Sequence, residues 1–251
     1  MSDDRVSLPE GPGSLEGVGE NVDADPNMGA MRYSIPIDVP EGFPGATPSL
    51  ALGYNSGGGG SVVGMGWSMG APAVERMTYR GLPRYDRSDD FSADGGQLVR
   101  LPNTDPPQYR SRYEGSFTRY TWMEMGDGDA GYWVAERPNG STEYYGATQD
   151  GVLVPAARVT GPDGTFRYML VDRVDVYGHR LHHSYIKDGP VSLLSLCSYL
   201  FTVGPNTPTY EVAFDYEERL DDTGLDYLSD AKPGFNELLT RIDRRRRVSS
   251  S

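Results

Sequence analysis

The sequence predicts an all-β protein, built mainly of short antiparallel strands and hairpins that form an open, curved sheet or shell segment. Three observations carry this expectation. Apolar and aromatic residues recur with a period of two in segment after segment. Turn formers interrupt them at short intervals, Gly (32) and Pro (19) together making about a fifth of the 251 residues. No stretch repeats apolar residues at i, i+3, i+4 and i+7 over three turns.

The elements follow in order. Residues 1–29 are polar and rich in Gly, Asp, Pro and Asn, an extended opening segment. Met31, Tyr33, Ile35, Ile37 and Val39 then alternate strictly. Pro36 lacks an N–H, so its strand must be an edge there or turn that position outward. Leu50, Leu52 and Tyr54 share the face of a second strand, and 57–60 is a flexible all-Gly loop. Further strands are expected at 73–77, 97–101, 117–125, 132–136, 141–145, 166–171, 173–176, 180–186, 193–203 and 210–216. Asn139-Gly140 between two of them suits a type I′ hairpin turn. Residues 236–244, with Leu238, Leu239 and Ile242, fit a helix or a strand. The chain thus divides into an opening segment (1–29), a β module (30–243) and a basic, disordered tail (244–251) holding Arg244 to Arg247.

Composition narrows the function. Twenty-three Lys and Arg stand against 36 Asp and Glu, a net charge of −13 that repels phosphate backbones and argues against nucleic acid. The single Cys197 excludes an internal disulfide framework and a thiolate-rich zinc site. The most apolar stretch, 191–203, is short of the roughly 18 residues a membrane helix needs. The first residues lack the apolar core of a Sec signal, so secretion from the cytoplasm would take another route. Leu, Ile, Val and Phe are only about a fifth of the chain, near the range where disorder begins. The 17 Tyr, 7 Phe and 3 Trp argue for a folded protein all the same.

From residue 7 to 76 the pattern becomes specific. It runs Ser7-Leu-Pro-Glu-Gly-Pro-Gly-Ser-Leu15, Gly17-Val-Gly-Glu20, Tyr33-Ser-Ile-Pro-Ile37, Val39-Pro40, Gly45, Pro48-Ser-Leu50, Leu52, Tyr54-Asn-Ser56, Gly64, Gly66-Trp67-Ser68 and Glu75-Arg76. Looser matches continue to about 242, among them Trp133 to Gly146, Asp175 to Tyr185 and Pro233-Gly234-Phe235. This ordered set resembles the N-terminal domain shared by the SpvB (virulence-plasmid B protein) family and the TcB, TcaC-like component of insecticidal toxin complexes. The resemblance implies a β-rich, non-catalytic module. In toxin complexes such a module is part of a hollow shell around a cleaved cytotoxic segment. In the SpvB branch it precedes an ADP-ribosyltransferase domain. Relatives run on where this sequence reaches Arg244-Arg-Arg-Arg, so the resemblance also implies a missing continuation or a split component with a partner chain. The structural anchors it points to are Tyr33, Pro36, Gly45, Tyr54, Asn55, Gly66, Trp67 and Arg76, with Trp67 in the core.

No motif in the residues carries chemistry against its plainer reading. Gly64-x-Gly66-x-x-x-Gly70 has the wrong spacing for a dinucleotide loop and reads as a tight turn. The 57–60 loop lacks the Lys-Ser/Thr of a phosphate-binding loop. Asp23-x-Asp25-x-Asn27 starts like a calcium loop, but Met28 replaces its glycine and Ser34 its glutamate. His179, His182 and His183 are the only histidines; on a strand the last two point to opposite faces, so a shared metal is disfavoured. The Glu-x-Glu pair of ADP-ribosyl transfer does not occur, and Glu217-Glu218 are adjacent instead. Asn139-Gly140-Ser141 is a formal glycosylation sequon better explained by its turn. The expectation is therefore no catalytic, cofactor-binding or metal-ligating residue and no cofactor. The expected function is that of a non-catalytic structural component of a secreted bacterial toxin, with other toxin-complex subunits or its own continuation as partner. The alternatives are a stand-alone carbohydrate- or protein-binding module, using exposed Tyr and Trp with Trp122 and Trp133 as the positions to test, and a non-functional remnant.

Overall fold

The computed structural model describes residues 22–24, 30–86, 88–126, 130–202, 207–218 and 237–246. They form nineteen strands and one 3-10 turn, Pro155–Ala157. A small sheet holds β1 (Val22–Ala24), β2 (Met31–Ile37), β3 (Leu50–Asn55) and β6 (Trp67–Ser68), in the order β1-β2-β3-β6. Between its last members lies a two-stranded ribbon, β4 (Gly60–Ser61) and β5 (Gly64–Met65). The main sheet runs through β7 (Ala73–Arg76), β8 (Phe91–Ala93), β9 (Gly96–Arg100), β10 (Gln108–Ser111), β11 (Arg119–Glu124), β12 (Gly131–Glu136) and β13 (Thr142–Tyr145). It continues in β14 (Arg158–Gly161), β15 (Gly164–Val174), β16 (Arg180–Asp188), β17 (Val191–Tyr199), β18 (Tyr210–Glu218) and β19 (Glu237–Arg246).

The all-β, antiparallel class stands, and the sheet has a feature the open, curved form did not include. Strand β15 pairs with both β7 and β13, so eight strands, β7 to β13 and β15, close on themselves. The closure is real because the two partners lie on opposite edges. The Leu170 N–H donates to Pro72 O on the β7 side, whereas Met169 O accepts from Gly146 N on the β13 side. Adjacent backbone groups of a strand face opposite ways. Eight strands leave an interior just wide enough for side chains. Val74, Phe91, Leu98, Tyr109, Tyr120, Trp122, Trp133, Tyr145, Tyr168 and Leu170 fill it as one core. Trp122 and Trp133 face each other in register across β11 and β12, ring centroids 5.2 Å apart. A Cβ at Gly131 would overlap the Trp122 ring, so only glycine lets this pair sit there.

The rest of the sheet, β16 to β19, extends from β15 as a four-stranded antiparallel ladder and stays open. Its inner face builds a second core from Val171, Leu181, Tyr185, Leu194, Cys197, Tyr199, Val212 and Phe214. Val39, Leu50, Met69 and Ala71, flanking the small sheet, pack against that core. Strand β19 settles the helix-or-strand ambiguity of 236–244: it pairs with β18 from Glu237 to Arg246. The boundary expected at 243 therefore falls inside a strand, and Arg244 to Arg246 are strand residues. The two strands expected at 166–171 and 173–176 are one, β15, while β8, β10 and β14 were not expected at all.

Other differences are local. The Arg137-Pro-Asn-Gly140 turn is closed by Gly140 N to Arg137 O, and only Gly140 has positive φ (81°). This is a type I turn with a glycine bulge, chosen because Pro138 presets the first turn residue, and not type I′. Pro36 is exposed at a point where β2 pairs only with β3, as its missing N–H requires.

Candidate functional site

The sequence-derived anchors separate into two groups. Tyr33 lies opposite Tyr54 in the small sheet, and Tyr54 touches Trp67 at 5.2 Å. Trp67 is only half-buried, so its expected place in the core is wrong: it packs on Tyr54 of the small sheet and belongs to neither core. Gly66 has φ +75°, and a Cβ there would come within 2.7 Å of the Tyr54 ring. Asn55 donates its backbone N–H to Gly66 O, and its Oδ1 accepts from Gly57 N at 2.9 Å in the turn that follows β3. Gly45 has φ +82° in an exposed turn. Arg76, by contrast, is buried in the barrel. Its Nη1 bonds Asp89 Oδ2 at 2.7 Å, its Nε donates to Thr165 O, and its guanidinium lies over the Phe91 ring.

The two tryptophans suggested for carbohydrate binding are not available to a ligand, Trp122 being 8% and Trp133 0% exposed inside the barrel, whereas Tyr79, Tyr113 and Tyr177 are exposed. Their alternation in β11 and β12 reflects an inward face.

Sequence reading missed the main polar cluster, at the barrel end opposite Arg76. Arg137, just after β12, pairs with Asp94 of the β8–β9 turn and with Glu143 of β13, the latter at 2.7 Å. Glu143 is fully buried and also accepts from Arg173 and from Tyr145 Oη. Tyr120 Oη donates to Asp94 at 2.7 Å. Burial works against the Asp94 carboxylate, but hydrogen bonds from Arg137 and Tyr120 outweigh it and hold it below its ordinary range. Burial and its bond to Asp94 push the Tyr120 phenol well up. Each carboxylate is engaged by arginine and tyrosine donors. The cluster seals the barrel mouth with satisfied charges. The signal in the sequence was Glu143 at an inward position of an alternating strand.

The histidines are separated as the strand period requires. His182 Nδ1 lies 2.7 Å from Asp172 Oδ1, His179 pairs with Asp175 and stacks on Phe43, and His183 points into the second core. Among the described residues no three His, Cys, Asp or Glu side chains group closely enough to hold a metal ion. Asp25 and Asn27 of the calcium-like run, and Arg247, lie outside the described residues. Burial pushes the Cys197 thiol up to about 12. The clefts are shallow. One of 420 Å³ lies between 70–73 and Asp94–Gly95, with Glu75 and Arg167 bonded at its wall. Another of 220 Å³ sits in the β7–β8 loop beside Tyr79, Arg80 and Arg84. No helix among the described residues is long and apolar enough to cross a membrane.

This barrel with its strand extension has known counterparts. The family described as Salmonella virulence plasmid 65kDa B protein matches residues 25–198. The chain belongs to the SpvB family. Among its relatives is the mono(ADP-ribosyl)transferase SpvB of Salmonella choleraesuis, 29% identical over 208 residues, which are 72% of this chain and 33% of the relative. The counterpart from Salmonella typhimurium strain 14028s is likewise 29% identical, over 207 residues. The chain spans about a third of the length of these relatives. Among solved structures, the N-terminal domain of effector protein SpvB from Salmonella typhimurium strain LT2 superposes with a TM-score of 0.69. It is 22% identical, and the match covers 86% of this chain and 88% of that one. The Photorhabdus luminescens Tc holotoxin pore matches with a TM-score of 0.68 at 25% identity, over 88% of this chain and 12% of its own. The TcdB2–TccC3 structure matches 99% of this chain and 14% of its own, with a TM-score of 0.67 at 24% identity. The chain thus shares its all-β fold with the N-terminal domain of effector protein SpvB and with a small part of much longer Tc toxin chains.

Proposed function

We propose that this chain is a non-catalytic structural module of a secreted bacterial toxin, a scaffold segment that works beside other toxin subunits or domains. The observation that carries the reading is the coverage: the chain matches nearly the whole of an SpvB N-terminal domain and only a small part of the Tc toxin chains. What the SpvB relatives transfer, they transfer with a polypeptide of which this chain matches only about a third. The architecture supports the same reading. The barrel is filled with aromatic side chains, its end charges are mutually satisfied, and Glu143 and Asp94 have arginine and tyrosine partners where a catalytic acid or base needs a substrate. The module includes β1, paired with β2 ahead of residue 30, and runs through the end of β19.

The test is assembly combined with activity. Co-expressed with the polypeptide encoded beside it, the chain is expected to elute as a stable complex on size exclusion. Alone, with labelled NAD and a eukaryotic cell lysate, it is expected to transfer no ADP-ribose. Transfer that survives rigorous repurification would overturn the reading.

A further inference from the structure

His183 occupies an unusual place. It is 5% exposed, and its Nδ1 has no hydrogen-bond partner. It lines a small, partly open pocket of 90 Å³ where three parts of the molecule meet. The barrel contributes Leu170 and Arg173, and the extension contributes Leu181 and Leu194. The small sheet contributes its two connecting segments, 48–50 entering β3 and 70–72 leaving β6. A neutral imidazole is tolerated in such a cavity, whereas an imidazolium needs a counter-charge or water.

We propose that His183 is an acid-operated latch: protonating its imidazole unseats segments 48–50 and 70–72 and frees the small sheet, while the barrel stays closed.

The charges around His183 support this direction. Arg173 on β15 and His182 on its own strand both oppose a positive charge, and Asp172 on β15 favours one. Asp172 is already held by His182 and by the Gln149 N–H, and Arg173 by Glu143. From β17 the register neighbour is Cys197, whose thiol is neutral. Segments 48–50 and 70–72 carry no titratable side chain at all. A backbone hydrogen bond with Val171 also favours the charged form. Burial outweighs both of these favourable contacts and, with repulsion from His182 and Arg173, pushes the imidazole down to about 4. The proton therefore prefers any state in which the pocket has opened further and brought water to the buried imidazole. The barrel core has no such group, because its buried charges at both ends are paired. The latch does not depend on the scaffold reading above.

Hydrogen–deuterium exchange of the full chain at pH 7 and pH 5 tests it, each rate corrected for intrinsic exchange. Peptides covering 48–50 and 70–72 are expected to exchange about tenfold or more faster at pH 5, while peptides from β12 do not change. H183Q should abolish the acceleration and H182Q should keep it. Equal acceleration in H183Q, or equal acceleration in β12, overturns the latch. Should H183Q fail to fold, a carbon-13 imidazole titration of the unaltered chain decides. Loss of protection at 48–50 and 70–72 must follow the His183 protonation curve. A His183 that protonates while these segments stay protected overturns it.

Discussion

Arg76 and Arg119 show how differently two arginine–carboxylate pairs can weigh. Arg76 is buried, its pair with Asp89 closed off by Thr165 O and the Phe91 ring. Arg119 and Glu136 meet at 2.6 Å with both side chains more than 40% exposed. R76A should cost about 3–5 kcal/mol, because it strands a buried carboxylate. R119A should cost less than about 1 kcal/mol, since water and salt already screen its pair. Urea denaturation of both variants measures the contrast. The tryptophans give a second one. W133A empties the middle of the barrel and is expected to cost about 3–5 kcal/mol. W67A strips a half-buried face and is expected to cost about 1–2 kcal/mol. Cys197 is buried with its thiol pushed up to about 12, so a thiol reagent at pH 8 should react only after unfolding.

At the scale of elements, the turns do as much to set register as the strands. The hairpin between β12 and β13 rests on Gly140, which has φ +81° and whose Cβ would overlap Val176 of the neighbouring β15–β16 turn. G140A therefore meets two obstacles, backbone strain and a side-chain collision. It should lower stability by about 1–3 kcal/mol, read as a lower melting temperature. The strand β15 is the other decisive element. Over its eleven residues it takes β14 and β7 as partners in its first half, then β13 and β16 in its second. A short strand could close the barrel or carry the extension, and only a long one can do both.

At the scale of the whole molecule, the described residues build two cores, one inside the barrel and one between the extension and the flanks of the small sheet. The thin apolar composition placed the chain near the range where disorder begins. A closed barrel with no open edge along its ring changes that expectation. The isolated chain should melt cooperatively, with its near-UV tryptophan signal lost in a single step. Its stability should depend on acid in two stages. His183 has a folded-state value of about 4 against an ordinary 6.5, so the unfolded chain binds the proton first. Stability is then full above pH 6.5 and falls, by up to about 3 kcal/mol, as pH drops toward 4. Asp94, Glu136 and Asp175, held below their ordinary ranges, contribute stability that is lost only further down. Denaturation midpoints at pH 7.5, 5 and 3.5 measure both stages.

The sequence by itself determined the class of fold, most strand positions and the family. Period-two alternation in Met31 to Val39 or Tyr132 to Glu136 is a local signal, and Gly and Pro mark turns through backbone sterics alone. It could not decide which alternating face points inward to a barrel and which to solvent. Trp122 and Trp133 were therefore open to an exposed reading, and Trp67 to a buried one. Ring closure depends on β15 meeting β7, which lies roughly ninety residues earlier in the chain, and no local pattern records that pairing. The partners of Glu143, the cavity around His183 and the pairing of β19 through Arg246 were likewise decided by the tertiary structure. Each is a matter of which distant groups share a low-dielectric space, and only the folded chain brings them together.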